Sequence, residues 1–142
     1  MNISRRKALA FGGAALTVTL VPVSFAQAAS EEVMKEYIDA FTGGADIAEG
    51  GIELTTPEIA ENGNTVPVAV SAPGAKRVIL LASGNPNPGV ADFTFGALAA
   101  GNGSTRIRLA GTQDVVAIAE MADGSFTQVA KAVKVTIGGC GG

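Results

Sequence analysis

The chain has no histidine and no tryptophan, and its single cysteine is Cys140. Each absence excludes chemistry. Without His there is no Ser-His-Asp or Cys-His pair, because the general base is missing. One thiol cannot build the usual zinc site, a C-x-x-C-H haem attachment or an internal disulfide. Charged residues make up only 16%, and ten basic against thirteen acidic residues leave a net charge of −3. That balance argues against a nucleic-acid partner, and the low charge density argues against a disordered polyelectrolyte. Glycine, by contrast, is plentiful: 19 of 142 residues, about twice the usual share. The length suits one domain.

Residues 1–28 read as a removable export signal. Arg5, Arg6 and Lys7 form a basic start, an uncharged stretch runs from Ala8 to Phe25, and Ala26-Gln27-Ala28 is a small-x-small cleavage site. Ser4-Arg5-Arg6-Lys7-Ala8-Leu9 looks like a twin-arginine signal, a route for folded proteins. Ala8 departs from the pattern, where a bulky apolar residue is common. An ordinary secretory signal is the alternative. A membrane anchor fits poorly, because Gly12, Gly13 and Pro22 interrupt the apolar stretch. Cleavage leaves seven basic and thirteen acidic residues, a mature charge of −6. The expected location is the periplasm, with no membrane contact in the mature form.

The domain, residues 29–137, reads as one helix followed by strands. Ser30-Glu31-Glu32 is a helix start with a hydroxyl cap and two acids. Val33, Met34, Tyr37, Ile38 and Phe41 make a stripe of helical period, and Gly43-Gly44 stops it. The stripe either packs on this domain's own core or docks on a partner. Beyond Gly50 the period becomes two. Strands are expected at 52–54, 66–70, 76–82, around Phe93 and Phe95, at 105–109, 115–121 and 126–137. Asn62-Gly63-Asn64, the 83–89 loop, Gly101-Asn102-Gly103 and Ala122-Asp123-Gly124-Ser125 supply turn chemistry between them. About seven strands at such spacing predict an immunoglobulin-like antiparallel β-sandwich.

Residues 138–142 are Gly138-Gly139-Cys140-Gly141-Gly142. Glycine ranges freely over φ and ψ, so these residues read as a flexible arm. Extended, three residues past Ile137 reach about 10 Å. A side-chain-free strand of that width can enter a narrow cleft and present a sulfur there. An unassisted thiol titrates near about 8.5, and the nearest basic residue in sequence is Lys134. Activation must then come from the protein that receives the arm. This favours a substrate carrier over a self-sufficient thiol enzyme, so no catalytic residue, metal ligand or cofactor is expected. Two other readings are an incidental cysteine and an exported structural or adhesive module whose Cys140 makes only an intermolecular disulfide.

The terminal pentapeptide resembles that of the SoxY family, the sulfur-carrying subunits of bacterial thiosulfate oxidation. The segment Pro57-Glu58-Ile59-Ala60-Glu61-Asn62-Gly63-Asn64-Thr65-Val66-Pro67-Val68 and the twin-arginine-like leader resemble the family as well. The resemblance implies that Cys140 is the covalent attachment point for sulfur intermediates, an S-thiosulfonate and a persulfide. It implies a heterodimer with a SoxZ-like small β-sandwich subunit. It further implies a haem-containing enzyme that joins thiosulfate to the thiol, a dimanganese hydrolase that releases sulfate and, where present, a molybdenum-haem sulfane dehydrogenase.

Among the remaining features, Arg106 and Arg108 share one face of their strand and either guide anionic intermediates, meet a partner, or are simply solvated. The 84–89 loop is an inter-strand loop or a partner contact. Asp92, Asp114 and Asp123 lack calcium-loop spacing.

Overall fold

A computed structural model describes residues 24–138. The helix α1 (Ser24–Thr42) precedes nine strands: β1 (Ile47–Glu49), β2 (Glu53–Thr55), β3 (Ile59–Asn62), β4 (Val66–Ser71), β5 (Ala75–Ala82), β6 (Gly89–Thr94), β7 (Asn102–Ile107), β8 (Gln113–Met121) and β9 (Phe126–Ile137). The expected twin-arginine start lies outside the described residues. None of the described helices is long and apolar enough to cross a membrane.

Two sheets form the sandwich. The larger has the order β1-β9-β8-β5-β6, with β3 also on β9, and the smaller has the order β2-β4-β7. The immunoglobulin-like architecture is therefore the one expected from strand spacing. Two short strands escaped that reading: β1 and β3 have three and four residues, too few to establish a period. Both also depart from the antiparallel pattern. Each pairs in parallel with β9, β1 at Ile47↔Phe126 to Glu49↔Gln128 and β3 at Ile59↔Lys134 to Asn62↔Ile137. Between them the chain crosses to the smaller sheet as β2, antiparallel to β4. Gly50 and Gly51, at φ of 88° and 79°, turn the chain off the first sheet, a conformation that disfavours side-chain-bearing residues. Pro57, which has no N–H to offer a ladder, sits on the return.

Several boundaries move, most of them by one or two residues, and three elements change more. The helix begins at Ser24 rather than at a Ser30 cap, because the Ala-rich stretch 25–29 has strong helix propensity. Strand β6 begins at Gly89, within the breaker-rich loop. Strand β7 begins at Asn102 and ends at Ile107, so Arg108 and Leu109 lie beyond it. Of the expected Gly101-Asn102-Gly103 turn only Gly101 lies outside the strand: its φ is 74°, and a Cβ there would lie 2.2 Å from the Ala72 carbonyl oxygen.

The core lies between the sheets. Leu54, Val66, Val68 and Val70 meet Val78, Leu80, Val115, Ala117 and Val133. Strands β5 and β8 are buried on their other face too. Ile79, Leu81, Val116 and Ile118 are covered by Met34, Ile38 and Phe41 of α1, with Ile47. The helical stripe thus packs on its own domain. Val33 is only half-buried, and Tyr37 stays 43% exposed, lying against Gly89, where a Cβ would come within 2.6 Å of its ring.

The C-terminal end of α1 is fastened by one aromatic. Phe41 meets Phe126 edge-on at 5.7 Å between centroids, and the Arg77 guanidinium carbon lies 5.1 Å from the Phe41 ring centre. Arg77 Nε donates to Asp92 Oδ1 at 3.0 Å. The Arg77 guanidinium holds the Asp92 carboxyl below its usual range, against partial desolvation. With a folded value below the unfolded one, this pair adds stability above about pH 4 that is lost as pH falls through the folded value. Both side chains are nearly half exposed, so the pair is worth at most about 1 kcal/mol.

Two outcomes are expected in urea unfolding. Ile118→Ala, at a site with 0% exposure, loses about 3 kcal/mol. Phe41→Ala loses about 2 kcal/mol, less than a full core aromatic, and frees the helix first, seen as earlier amide exchange in α1 than in β8.

Candidate functional site

Cys140 and its neighbours Gly139, Gly141 and Gly142 lie outside the described residues. What the fold defines is the root of the arm. Strand β9 keeps partners on both edges almost to its end. On one side β8 pairs up to Gln113↔Val133, and the Thr112 hydroxyl then accepts from the Val135 N–H at 3.0 Å. On the other side β3 runs to Asn62↔Ile137, and Gly63 N–H donates to the Ile137 carbonyl at 2.7 Å. Gly138 follows at once. A Cβ on Gly138 would lie 2.3 Å from the Ala110 carbonyl oxygen. The first arm glycine is therefore required by close backbone approach, which its sequence context alone did not reveal.

Two buried amides hold the loops around this root. Asn85 is 1% exposed. Its Oδ1 accepts from Ala110 N–H and from Gln113 Nε2, both at 2.9 Å, and its Nδ2 donates to the Arg108 carbonyl at 2.7 Å. Gln113 Oε1 accepts from Gly84 N–H at 2.7 Å, and its Nε2 also donates to the Gly111 carbonyl at 3.1 Å. Hydrogen bonds at these lengths satisfy the polar groups that burial would otherwise penalise. The 84–89 loop is thus stitched to residues 108–113, against which Gly138 lies. Sequence reading passed over Asn85 and Gln113. No local signal marks them, because all of their partners but the Gly111 carbonyl are 23 to 29 residues away.

The arginine pair sits at the same end. Arg106 and Arg108 alternate with buried Ile107 and Leu109 and are exposed. Arg106 Nη1 donates to the Thr65 hydroxyl at 3.5 Å. Leu109 N–H donates to the Gly63 carbonyl at 2.8 Å. Among the described residues the one ion pair is Arg77–Asp92, so neither arginine has a carboxylate partner there. The three singled-out aspartates are scattered. Asp92 pairs with Arg77, Asp114 stands at the start of β8 next to Ser83, and Asp123 accepts from Ser125 N–H at 2.9 Å and Oγ at 2.6 Å. Those Ser125 bonds hold the Asp123 carboxyl below its usual range. No group of three or more metal-ligating side chains comes together among the described residues.

The fold and this end of it define a class: an immunoglobulin-like sandwich whose last strand is clamped up to a glycine arm bearing the chain's only thiol. The family model "Sulfur oxidation protein SoxY" matches residues 38–140. The chain belongs to the SoxY family. Among solved structures it is similar to the sulfur carrier protein SoxY from Chlorobium limicola f thiosulfatophilum, with 33% identity and a TM-score of 0.69, over 78% of this chain and 97% of that one. Superoxide reductase (neelaredoxin) from Ignicoccus hospitalis is 19% identical, with a TM-score of 0.53 over 61% of this chain and 80% of that one, a likeness of fold alone. No curated protein sequence matches.

Asn85→Ala leaves three hydrogen-bond partners unmatched around a 1% exposed site and is expected to cost about 3 kcal/mol in chemical unfolding. Gly138→Ala is expected to speed amide exchange at Gly63 and Leu109 while changing global stability by less than about 1 kcal/mol. Gly111→Ala, with nothing within 4 Å of its Cβ, leaves both amides unchanged.

Proposed function

We propose that this protein is a non-catalytic sulfur carrier of thiosulfate oxidation, with Cys140 as the attachment point. The observation that carries the reading is the family match, whose last residue is Cys140 itself. The fold supports it by ending a rigid strand at the arm, and the absence of His removes the side chain that most often activates such a thiol.

The chemistry divides among partners. A haem-containing enzyme removes two electrons as the Cys140 thiolate joins the outer sulfur of thiosulfate, giving a cysteine S-thiosulfonate. A dimanganese hydrolase adds water across the bond between sulfane sulfur and sulfonate. Sulfate leaves, and a persulfide remains on Cys140. A sulfane dehydrogenase, in systems that have one, oxidises that remaining sulfur before a second hydrolysis frees the thiol. A SoxZ-like β-sandwich subunit forms the heterodimer that these enzymes meet. The chain itself holds no cofactor. Residues 1–28 direct export by the twin-arginine route, and the working location is the periplasm.

Intact-mass measurement tests the carrier role. Thiosulfate with the partner enzymes should add a thiosulfonate to the C-terminal peptide, and Cys140→Ser should abolish both the adduct and thiosulfate-dependent turnover. Full turnover with Cys140→Ser would overturn the reading, as would a thiol found only in a reducible covalent complex. Changing Arg5 and Arg6 together to Lys should leave the precursor in the cytoplasm, detected by fractionation.

A further inference from the structure

We propose that Arg106 and Arg108 form an anion seat on which the chain's own residues 139–142 settle when Cys140 carries an anionic sulfur adduct. The inference rests on the carrier reading for the identity of that adduct.

Charge sets up the seat. Strands β2, β4 and β7 carry two charged residues in all, Glu53 and Arg106. Glu53 pairs with Ser71 and so lies towards the opposite end of the sheet, whereas Arg106 pairs with Pro67 near the arm's end. Arg108 follows two residues later on the same alternation. Two of the nearby carboxylates face elsewhere, while exposed Glu58 adjoins Pro57. Glu61 neighbours buried Ala60 on β3, and Asp114 neighbours buried Gln113 and Val115 on β8, so both project from the opposite face of the other sheet.

Short links connect both arginines to the arm root. Ile137 is bonded to Gly63, whose carbonyl takes the N–H of Leu109, the residue after Arg108. Thr65, two residues past Gly63, takes the Arg106 guanidinium. Gly138 abuts Ala110, which along the chain is at most about 7 Å from Arg108 and at most about 13 Å from Arg106. Cys140 reaches about 7 Å from Gly138, and its adduct extends further. Beside Arg106 the outer face opens into a shallow depression of about 640 Å³, walled by Thr55, Pro57, Pro67, Ala69 and Ser104. Its small side chains leave room for a glycine-flanked segment.

The seat distinguishes loaded from empty arms. An unmodified thiol is mostly uncharged at neutral pH and gains little there. A thiosulfonate is an anion at every physiological pH, so two guanidiniums with no carboxylate partner among the described residues favour it. Contacts of this exposed kind are weak, which lets a receiving enzyme compete for the arm.

The test uses tetrathionate with the purified full domain. The Cys140 thiolate attacks a central sulfur of tetrathionate, the central S–S bond breaks, thiosulfate leaves with the electron pair, and a cysteine S-thiosulfonate remains. A methylthio disulfide on Cys140 is the neutral control. NMR shifts at Thr65, Ser104, Arg106 and Arg108 should change with the thiosulfonate and not with the neutral adduct, and should fade at high salt. Arg106→Gln and Arg108→Gln should each lower the seated fraction about two- to fivefold, with the unloaded spectra otherwise preserved. Equal shifts for both adducts, changes confined to residues after 136, or an unaltered pattern in the double variant would overturn the seat. Loading here needs no partner enzyme. Failure of enzymatic loading would therefore count against the carrier reading alone, and absence of the shift pattern against the seat alone.

Discussion

The pairing of β9 along both of its edges is the constraint on which the functional end depends. One edge is continuous with β8. The other is shared by β1 and β3, each in parallel register and separated by the excursion through β2. Gly50 N–H bonds the Gln128 carbonyl and Lys134 N–H bonds the Glu58 carbonyl, at 2.9 Å each, marking where the edge pauses and resumes. The later of these contacts matters most for the arm. Without β3 the last four residues of β9 would fray, as unpaired strand ends do, and the arm would begin earlier and wander further.

The same end contains two kinds of polarity with opposite behaviour. Asn85 and Gln113 are buried and mutually hydrogen-bonded, so they order the 84–89 and 108–113 loops at the cost of strict geometry. Arg106 and Arg108 are exposed and lack carboxylate partners among the described residues, so their field reaches outward into solvent. A rigid base with a free positive rim suits a moving segment whose charge changes with its cargo. The far end of the sandwich differs, because its one arginine near α1, Arg77, is spoken for by Asp92 and Phe41.

Much of the fold was legible in the residues. The alternation in 66–70 and the aliphatic run in 76–82 became β4 and β5, and Asn62-Gly63-Asn64 turned the chain as its composition suggested, with the Asn62 side chain accepting from Asn64 N–H at 3.0 Å. The helical stripe was legible too, but its partner was not. Periodicity says that a face must be buried and not against what. Strands β1 and β3 were illegible because three- and four-residue segments owe their extension to pairing with β9 rather than to their own pattern.

The sequence by itself determined the chemical inventory: one thiol, no histidine, and glycines on both sides of that thiol. These are properties of composition and order, and no folding can add a missing imidazole. Only the tertiary structure decided what surrounds the arm's point of departure. Gly138 against Ala110, Ile137 against Gly63, and Asn85 among Arg108, Ala110 and Gln113 join residues 23 to 74 positions apart in the chain. Such contacts arise from the packing of two sheets and the crossing of β2 between them, and no local pattern encodes them.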